Sequence, residues 1–373
     1  MLAAPLRLAA MEQLRLGLIG TGIFVRKSHL PALAQLADRY VVTAVCSERG
    51  ASAEAVSAAL PSRPAVERDY RALLARPDVD VVLVAVPIHR TAPIVREALL
   101  AGKPVISEKP IAETVAQAAE LLRLAEECAV PHFVAENVRY QGRFLTARAL
   151  LEADRIGRPH LYDIMVLSRL TPDSPYAGSV WRREAHHHGG WLLDSGVHAV
   201  AALRQVALAE VATVRAVTQS ILPETLGAQP DTLLATFELA DSTVARLAFS
   251  MGVFSRWTNA VHVYGTRGTL GLLQRRRLVD GRARYDDWIE IQSGDGEPEI
   301  LPLEDSLGGI VQELADFHRA LTTGGPVLGT AWEAAKDLQI VDAALAAADG
   351  GATIAIPAAI VAPWREMAGP APS

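Results

Sequence analysis

"LRLGLIG" (Leu14–Gly20) leads without a break into "TGIFVRKSHLPALAQLA" (Thr21–Ala37). The first stretch is short and apolar, as a buried strand should be, and the second has the apolar spacing of a helix. Gly20-Thr21-Gly22, at their junction, begins a dinucleotide fingerprint. Gly20 permits the tight turn, Gly22 lets backbone approach a pyrophosphate, and the first N–H groups of the helix face the anion. Val25 stands where the pattern has a third glycine, so the helix is expected to sit slightly off the strand.

"YVVTAVCS" (Tyr40–Ser47), "VDVVLVAVP" (Val79–Pro87), "PVISEKP" (Pro104–Pro110) and "PHFVAEN" (Pro131–Asn137) read as further strands. Helical stretches lie between them at Ala51–Leu60, Tyr70–Ala75, Ala92–Ala101 and Thr114–Cys128. Near-continuous apolar strands alternating with helices predict a parallel sheet covered on both faces. Ligands bind such a sheet at the carboxyl ends of its strands. The cofactor contacts expected there are Gly20, Thr21, Gly22, Ile23, Phe24, Ser47, Arg49, Val86, Pro87, Glu108 and Asn137.

The residues after the second strand bear on which dinucleotide is taken. An acid in that place bonds a ribose 2′-hydroxyl. Here the chain reads Ser47-Glu48-Arg49. Serine removes the repulsion and Arg49 offers a planar cation to a 2′-phosphate, so NADP(H) is expected to be preferred, with NAD(H) also admitted. Glu48 reverses the preference if its carboxylate faces the ribose. Arg26 and Lys27 add positive potential if they face inward.

Two further stretches carry chemistry. In "SEKP", Pro110 stops the strand and fixes the turn, holding Lys109 where the nicotinamide end of a cofactor would lie. In "GGWLLDSGVHAVAALRQV" (Gly189–Val206), two glycines open a helix on which Asp194 and His198 stand four residues apart on one face. A carboxylate beneath an imidazole forms a proton-handling couple, or else a satisfied buried pair. Arg139 and Tyr140 follow a strand at the ligand edge and are expected to touch substrate. Trp181 and Arg182 offer a flat wall and a hydrogen-bonding fork to a ligand, or equally a packed tryptophan beside a surface arginine. Among His186, His187 and His188 only alternate residues share a side of an extended segment. One imidazole, His188, is therefore expected to touch substrate, and no metal is expected.

The totals set the frame. With 373 residues, two domains are expected. A net charge of −6 gives no general attraction to nucleic acid or acidic membranes. Cys46 and Cys128 are far apart and lack metal-ligand spacing, which fits a reducing compartment. No apolar run approaches the ~20 residues of a membrane span, and "MLAAPLRLAA" lacks the basic region of a signal peptide. A cytoplasmic location is expected. The expected organisation is a loose extension over 1–12, a dinucleotide-binding domain over 13–138, a substrate domain over 139–363 and a tail over 364–373.

"GLIGTGIFVRKSHLPAL", "AGKPVISEKP", "AENVRY" and "GGWLLDSGVHAVAALR", in this order and at these distances, resemble the Gfo/Idh/MocA family, the glucose–fructose oxidoreductase and inositol dehydrogenase relatives. The likeness spans roughly residues 14–357. It implies an α/β Rossmann domain followed by an α+β domain on a large open, mainly antiparallel sheet, and oxidation or reduction of a sugar or cyclitol hydroxyl. It also implies catalytic roles for Lys109, Asp194 and His198. His198 would take the proton, Asp194 orient it or share that role, and Lys109 hold the same oxygen. Two departures stand out: where the family often reads T-P-N-x-x-H, this chain has "VPIHRT", with Ile88 for the amide and Thr91 for the histidine. Its wording looks more like a divergent branch also found in fungi. The rival readings are a non-catalytic nucleotide sensor and a glycosidase that uses NAD for transient oxidation.

The rest of the chain fits that second domain. "RPHLYDIMVLSR" (Arg158–Arg169), "ATVRAVTQSI" (Ala212–Ile221), "DTLLATFEL" (Asp231–Leu239), "TVARLAFSM" (Thr243–Met251) and "NAVHVYGTRGTL" (Asn259–Leu270) read as strands. Leu233, Ala235, Phe237 and Leu239 share one face and Thr232, Leu234, Thr236 and Glu238 the other. The second face is expected to serve a homodimer or homotetramer. Arg275–Asp287 reads as an exposed hairpin, and Ile310–Thr322 and Ala331–Ala348 as closing helices.

Overall fold

In the computed structural model, residues 8, 11–184, 188–254, 257–279, 282–304 and 307–360 are described. The chain divides into two compact units: Met1–Asn137 with Gly309–Lys336, and Val138–Gly308 with Asp337–Ser373.

The first unit holds a six-stranded sheet of β1 (Leu14–Ile19), β2 (Tyr40–Cys46), β3 (Ala65–Glu67), β4 (Val81–Val84), β5 (Val105–Glu108) and β6 (His132–Ala135). Its order is β3-β2-β1-β4-β5-β6, and every pairing is parallel. Leu14, Leu16, Leu18, Val81, Val82, Val84, Val105 and Ile106 are fully buried, because helices lie on both faces. Each such side chain removed from water contributes roughly 1.5–3 kcal/mol. The edge strand β3 is absent from the sequence reading; its three residues carry no apolar run. Strand order reverses around β1, which pairs β2 on one side and β4 on the other. That reversal leaves a crevice at the strands' carboxyl ends.

The helix after β1 answers Val25 locally. Val25–His29 is π-helical, closed by Leu30 N–H donating to Val25 O, and Leu30–Gln35 continues as α-helix. The wider turn accommodates Val25 at 1% exposure. The helix expected from Ala92 starts at Ile88. Ile88 and Thr91, the two departures from the family's wording, are both buried in it.

Gly309–Lys336, assigned to the second domain on sequence, belongs to the first unit. Tyr40 Oη donates to Leu314 O at 2.8 Å, Phe133 stacks on Phe317 at 5.1 Å, and Val134 N–H donates to Gly329 O at 2.9 Å. The described part of the N-terminal extension is not loose. Leu8 is buried, and Glu12 O lies 2.9 Å from His318 Nε2. The expected tail, 364–373, lies outside the described residues.

The second unit is built on nine strands: β7 (Pro159–Leu167), β8 (Val211–Gln219), β9 (Thr232–Leu239), β10 (Val244–Ser250), β11 (Thr258–Gly265), β12 (Thr269–Val279), β13 (Arg282–Gln292), β14 (Glu299–Leu303) and β15 (Ile354–Ala355). Their order is β14-β13-β12-β11-β7-β10-β9-β8-β15. Among the described residues β10 and β7 run parallel and the other pairings are antiparallel. The Gly190–Val206 helix packs on β7, β10 and β11. Leu233, Ala235, Phe237 and Leu239 of β9 are buried while Leu234 is exposed, the alternation of a sheet covered on one face. Among the described residues no helix is long and apolar enough to cross a membrane.

Candidate active-site elements

Gly20 is dictated by packing. Its φ is +103°, and a Cβ there would stand 2.1 Å from Ala85 O. Gly22 differs: a Cβ there would meet nothing within 4 Å. Among the described residues no atom demands glycine at Gly22, so the open space beside it at the helix start fits the pyrophosphate of a dinucleotide. Thr21 is buried, its hydroxyl 2.7 Å from that of Ser52, while Ile23 and Phe24 are half-buried. Val86 and Pro87 follow β4 half-buried, and Ala85 N–H donates to Ile19 O at 2.8 Å.

At the end of β2, Ser47 is half-buried and Glu48 and Arg49 are exposed. Glu48 is ion-paired with Arg90 of the helix after β4. Arg90 was missed on sequence because it enters from 42 positions beyond Glu48, with no local pattern to mark it. Arg26 and Lys27 are exposed.

At the end of β5, Glu108 Oε1 lies 2.6 Å from His29 Nε2. Glu108, expected at the cofactor, is thus engaged by a histidine from the first helix. Lys109 is half-buried, and its peptide with Pro110 is cis. Asn137 begins a short 3₁₀ turn after β6 and is half-buried.

In the second unit the two glycines before Asp194 are held by tight contacts. A Cβ on Gly189 (φ +87°) would lie 2.4 Å from Leu345 Cδ1, and one on Gly190 (φ +44°) 2.5 Å from Gln229 Cβ. The helix they open carries Asp194, 5% exposed, and half-buried His198. Arg182 Nε donates to Asp194 Oδ2 at 2.7 Å. The Arg182 guanidinium lies 4.1 Å from the Trp181 ring, 5.3 Å from Tyr176 and 5.8 Å from Trp191. Arg182 is therefore neither an open fork nor a surface charge; it is enclosed by aromatic faces and balances Asp194.

Two expected substrate contacts, Arg139 and His188, are otherwise employed, and a third, Tyr140, is buried. Arg139 and Tyr140 are each 3% exposed, and Arg139 donates to Asp337 Oδ2 at 2.5 Å. Asp337 Oδ1 also accepts from Arg204 Nη1 at 2.9 Å. A buried carboxylate needs such cationic partners, which turns Arg139 inward. His188 Nε2 lies 3.1 Å from Asp349 Oδ2, so that ring edge meets a carboxylate of the protein. His186 and His187 lie outside the described residues. Among the described residues no cluster of three or more His, Cys, Asp or Glu could hold a metal.

These elements define an NAD-binding Rossmann unit joined to a unit on a large, mainly antiparallel sheet, which is an oxidoreductase architecture. Residues 14–136 match the oxidoreductase family with an NAD-binding Rossmann fold, and residues 144–271 the GFO/IDH/MocA C-terminal domain. The chain belongs to the Gfo/Idh/MocA family of oxidoreductases. An uncharacterized protein of Saccharomyces cerevisiae is 32% identical over 90% of this chain and 96% of its own length. A dTDP-3,4-didehydro-2,6-dideoxy-alpha-D-glucose 3-reductase of Streptomyces violaceoruber is 30% identical over 91% of this chain and 96% of its own. Among solved structures, an oxidoreductase from Thermotoga maritima is 29% identical and superposes with a TM-score of 0.82, covering 92% of this chain and 98% of that one.

Proposed function

We propose that this oxidoreductase transfers a hydride between NADP(H) and a carbinol or carbonyl carbon of a sugar or cyclitol. The observation that carries the reading is the Gly190–Val206 helix, which sets His198 on the same face as an Asp194 already charge-balanced by Arg182. His198 takes the proton from the reacting hydroxyl or returns it. Asp194 acts as the oriented charge on that face. Lys109 donates to the reacting oxygen and stabilises its developing negative charge. The nicotinamide, when bound, supplies the hydride acceptor or donor. The sugar 3-reductase relative supports a sugar-like substrate.

A panel of polyols, aldoses and cyclitols, followed by absorbance of the reduced cofactor, tests the reading. Turnover of a polyol or sugar is expected. Cofactor binding without turnover of any member would favour a sensor, and aglycone release without net reduction a glycosidase.

The NADP(H) preference is supported by Ser47 and Arg49 and by the engagement of Glu48 with Arg90, which offsets its charge. Exposed Val217 of β8 and Leu234 of β9, paired across the strands, support a homo-oligomer formed through this sheet. Unpaired Cys46 and Cys128 are in keeping with a reducing cytoplasm.

A further inference from the structure

His29 is fully buried in the π-helical turn that follows the Gly20–Gly22 phosphate turn. The edge of its ring pair with Phe24 lies at 5.2 Å between centroids, and its Nε2 is 2.6 Å from Glu108 Oε1. Its Nδ1 is buried without a partner among the described residues. A proton on Nδ1 would leave a buried donor unsatisfied, which is costly. The ring therefore keeps its proton on Nε2, donating to the Glu108 carboxylate in a charge-assisted bond.

The surroundings hold that carboxylate to one direction. Glu313, on the Ile310–Thr323 helix, is 1% exposed, and its Oε2 has no partner among the described residues. Burial, with Glu108 and Glu136 nearby, pushes its carboxyl well above the usual range, so it stays protonated and does not repel Glu108. Glu108 is the last residue of β5 and Lys109 the next. Lys109 stands in the bend that leaves the strand directly after Glu108, so anchoring the Glu108 side chain restrains the backbone from which Lys109 projects.

We propose that His29 is a positioning residue for Lys109, acting through Glu108 from the helix that receives the cofactor phosphates. This rests on the reading that Lys109 acts on the reacting oxygen. His29→Leu removes the bond at similar volume, whereas His29→Gln keeps an N–H near the Nε2 position. The measurements are turnover on the best substrate of the panel, NADPH affinity by fluorescence titration, and amide hydrogen exchange of the Glu108–Ile111 turn without substrate.

In His29→Leu, kcat is expected to fall about 10- to 100-fold, the scale of a misplaced reacting group, with NADPH affinity within about two-fold. Exchange in the Glu108–Ile111 turn quickens while that of β1 and β4 does not. His29→Gln recovers kcat to within about three-fold. Wild-type kcat in His29→Leu, or equal losses in both variants, overturns the proposal. If His29→Leu does not fold, Glu108→Gln weakens the same bond without changing size, and unchanged kcat there overturns it equally. Lys109→Ala on the same substrate separates the two levels. If it is inactive while His29→Leu is normal, only the positioning role fails; if it turns over normally, the Lys109 reading itself fails.

Discussion

Two glycines two residues apart make opposite predictions from the same turn. In Gly20→Ala, the methyl would meet Ala85 O at 2.1 Å on a backbone with φ of +103°. The backbone conformation costs an L-residue about 1–2 kcal/mol, and relieving the overlap against the carbonyl of Ala85, just past β4, costs about 1–3 kcal/mol more. A unit of this size loses about 2–4 °C of Tm per kcal/mol, so a fall on the order of 10 °C is expected. In Gly22→Ala the methyl meets no protein atom within 4 Å, and Tm should stay within about 1 °C of wild type. Yet the methyl enters the space read as the pyrophosphate site. Overpacking there costs about 1–3 kcal/mol, which is about 5- to 150-fold in cofactor affinity. Differential scanning fluorimetry without cofactor and NADPH titration read the two effects separately. Wild-type cofactor affinity in Gly22→Ala would refute the placement of the phosphates, and an unchanged Tm in Gly20→Ala would refute the packing argument.

Lys109→Ala and His198→Ala should each lower turnover about 100-fold or more while nucleotide affinity is kept, since acid–base groups contribute ~10²–10⁴-fold; wild-type-like turnover in steady-state assays removes the assigned role. Titration of both oxidised cofactors should show tighter NADP⁺ binding, and Arg90→Ala, by releasing Glu48, should shift the preference toward NAD⁺; tighter NAD⁺ binding by the wild type would mean that Glu48 faces the ribose. Burial drives the His132 ring down to about 3 from 6.5, so between those values the unfolded chain binds a proton that the folded chain does not. Its contribution is complete above pH ~6.5 and is lost as pH falls, by up to about 1.4 kcal/mol per pH unit. His132→Gln, which keeps a partner for Ser107, should flatten that part of the urea-unfolding profile, and an unchanged slope would assign it elsewhere.

The alternation of apolar strands and helices was legible because each buried strand of a parallel sheet needs an apolar run of its own. The same locality made Gly20, the Glu108-Lys109-Pro110 turn and the Asp194/His198 spacing readable, since each is a backbone or helix-period property within a few residues. Period-2 alternation likewise marked the faces of β9.

What tertiary structure alone decided is which charge meets which. Arg182 and Asp194 lie 12 residues apart, His29 and Glu108 79, and Arg139 and Asp337 198. No periodicity links such positions; the folded chain brings them together, and a buried ion then requires its partner. Thus Arg139, Arg182 and His188, read on sequence as groups offered to a substrate, are directed onto carboxylates of the protein itself. The return of Gly309–Lys336 to the first unit is decided the same way. Its apolar pattern names no partner; the stacking of Phe317 on Phe133, the bond from Tyr40 to Leu314 O and that from Val134 N–H to Gly329 O do.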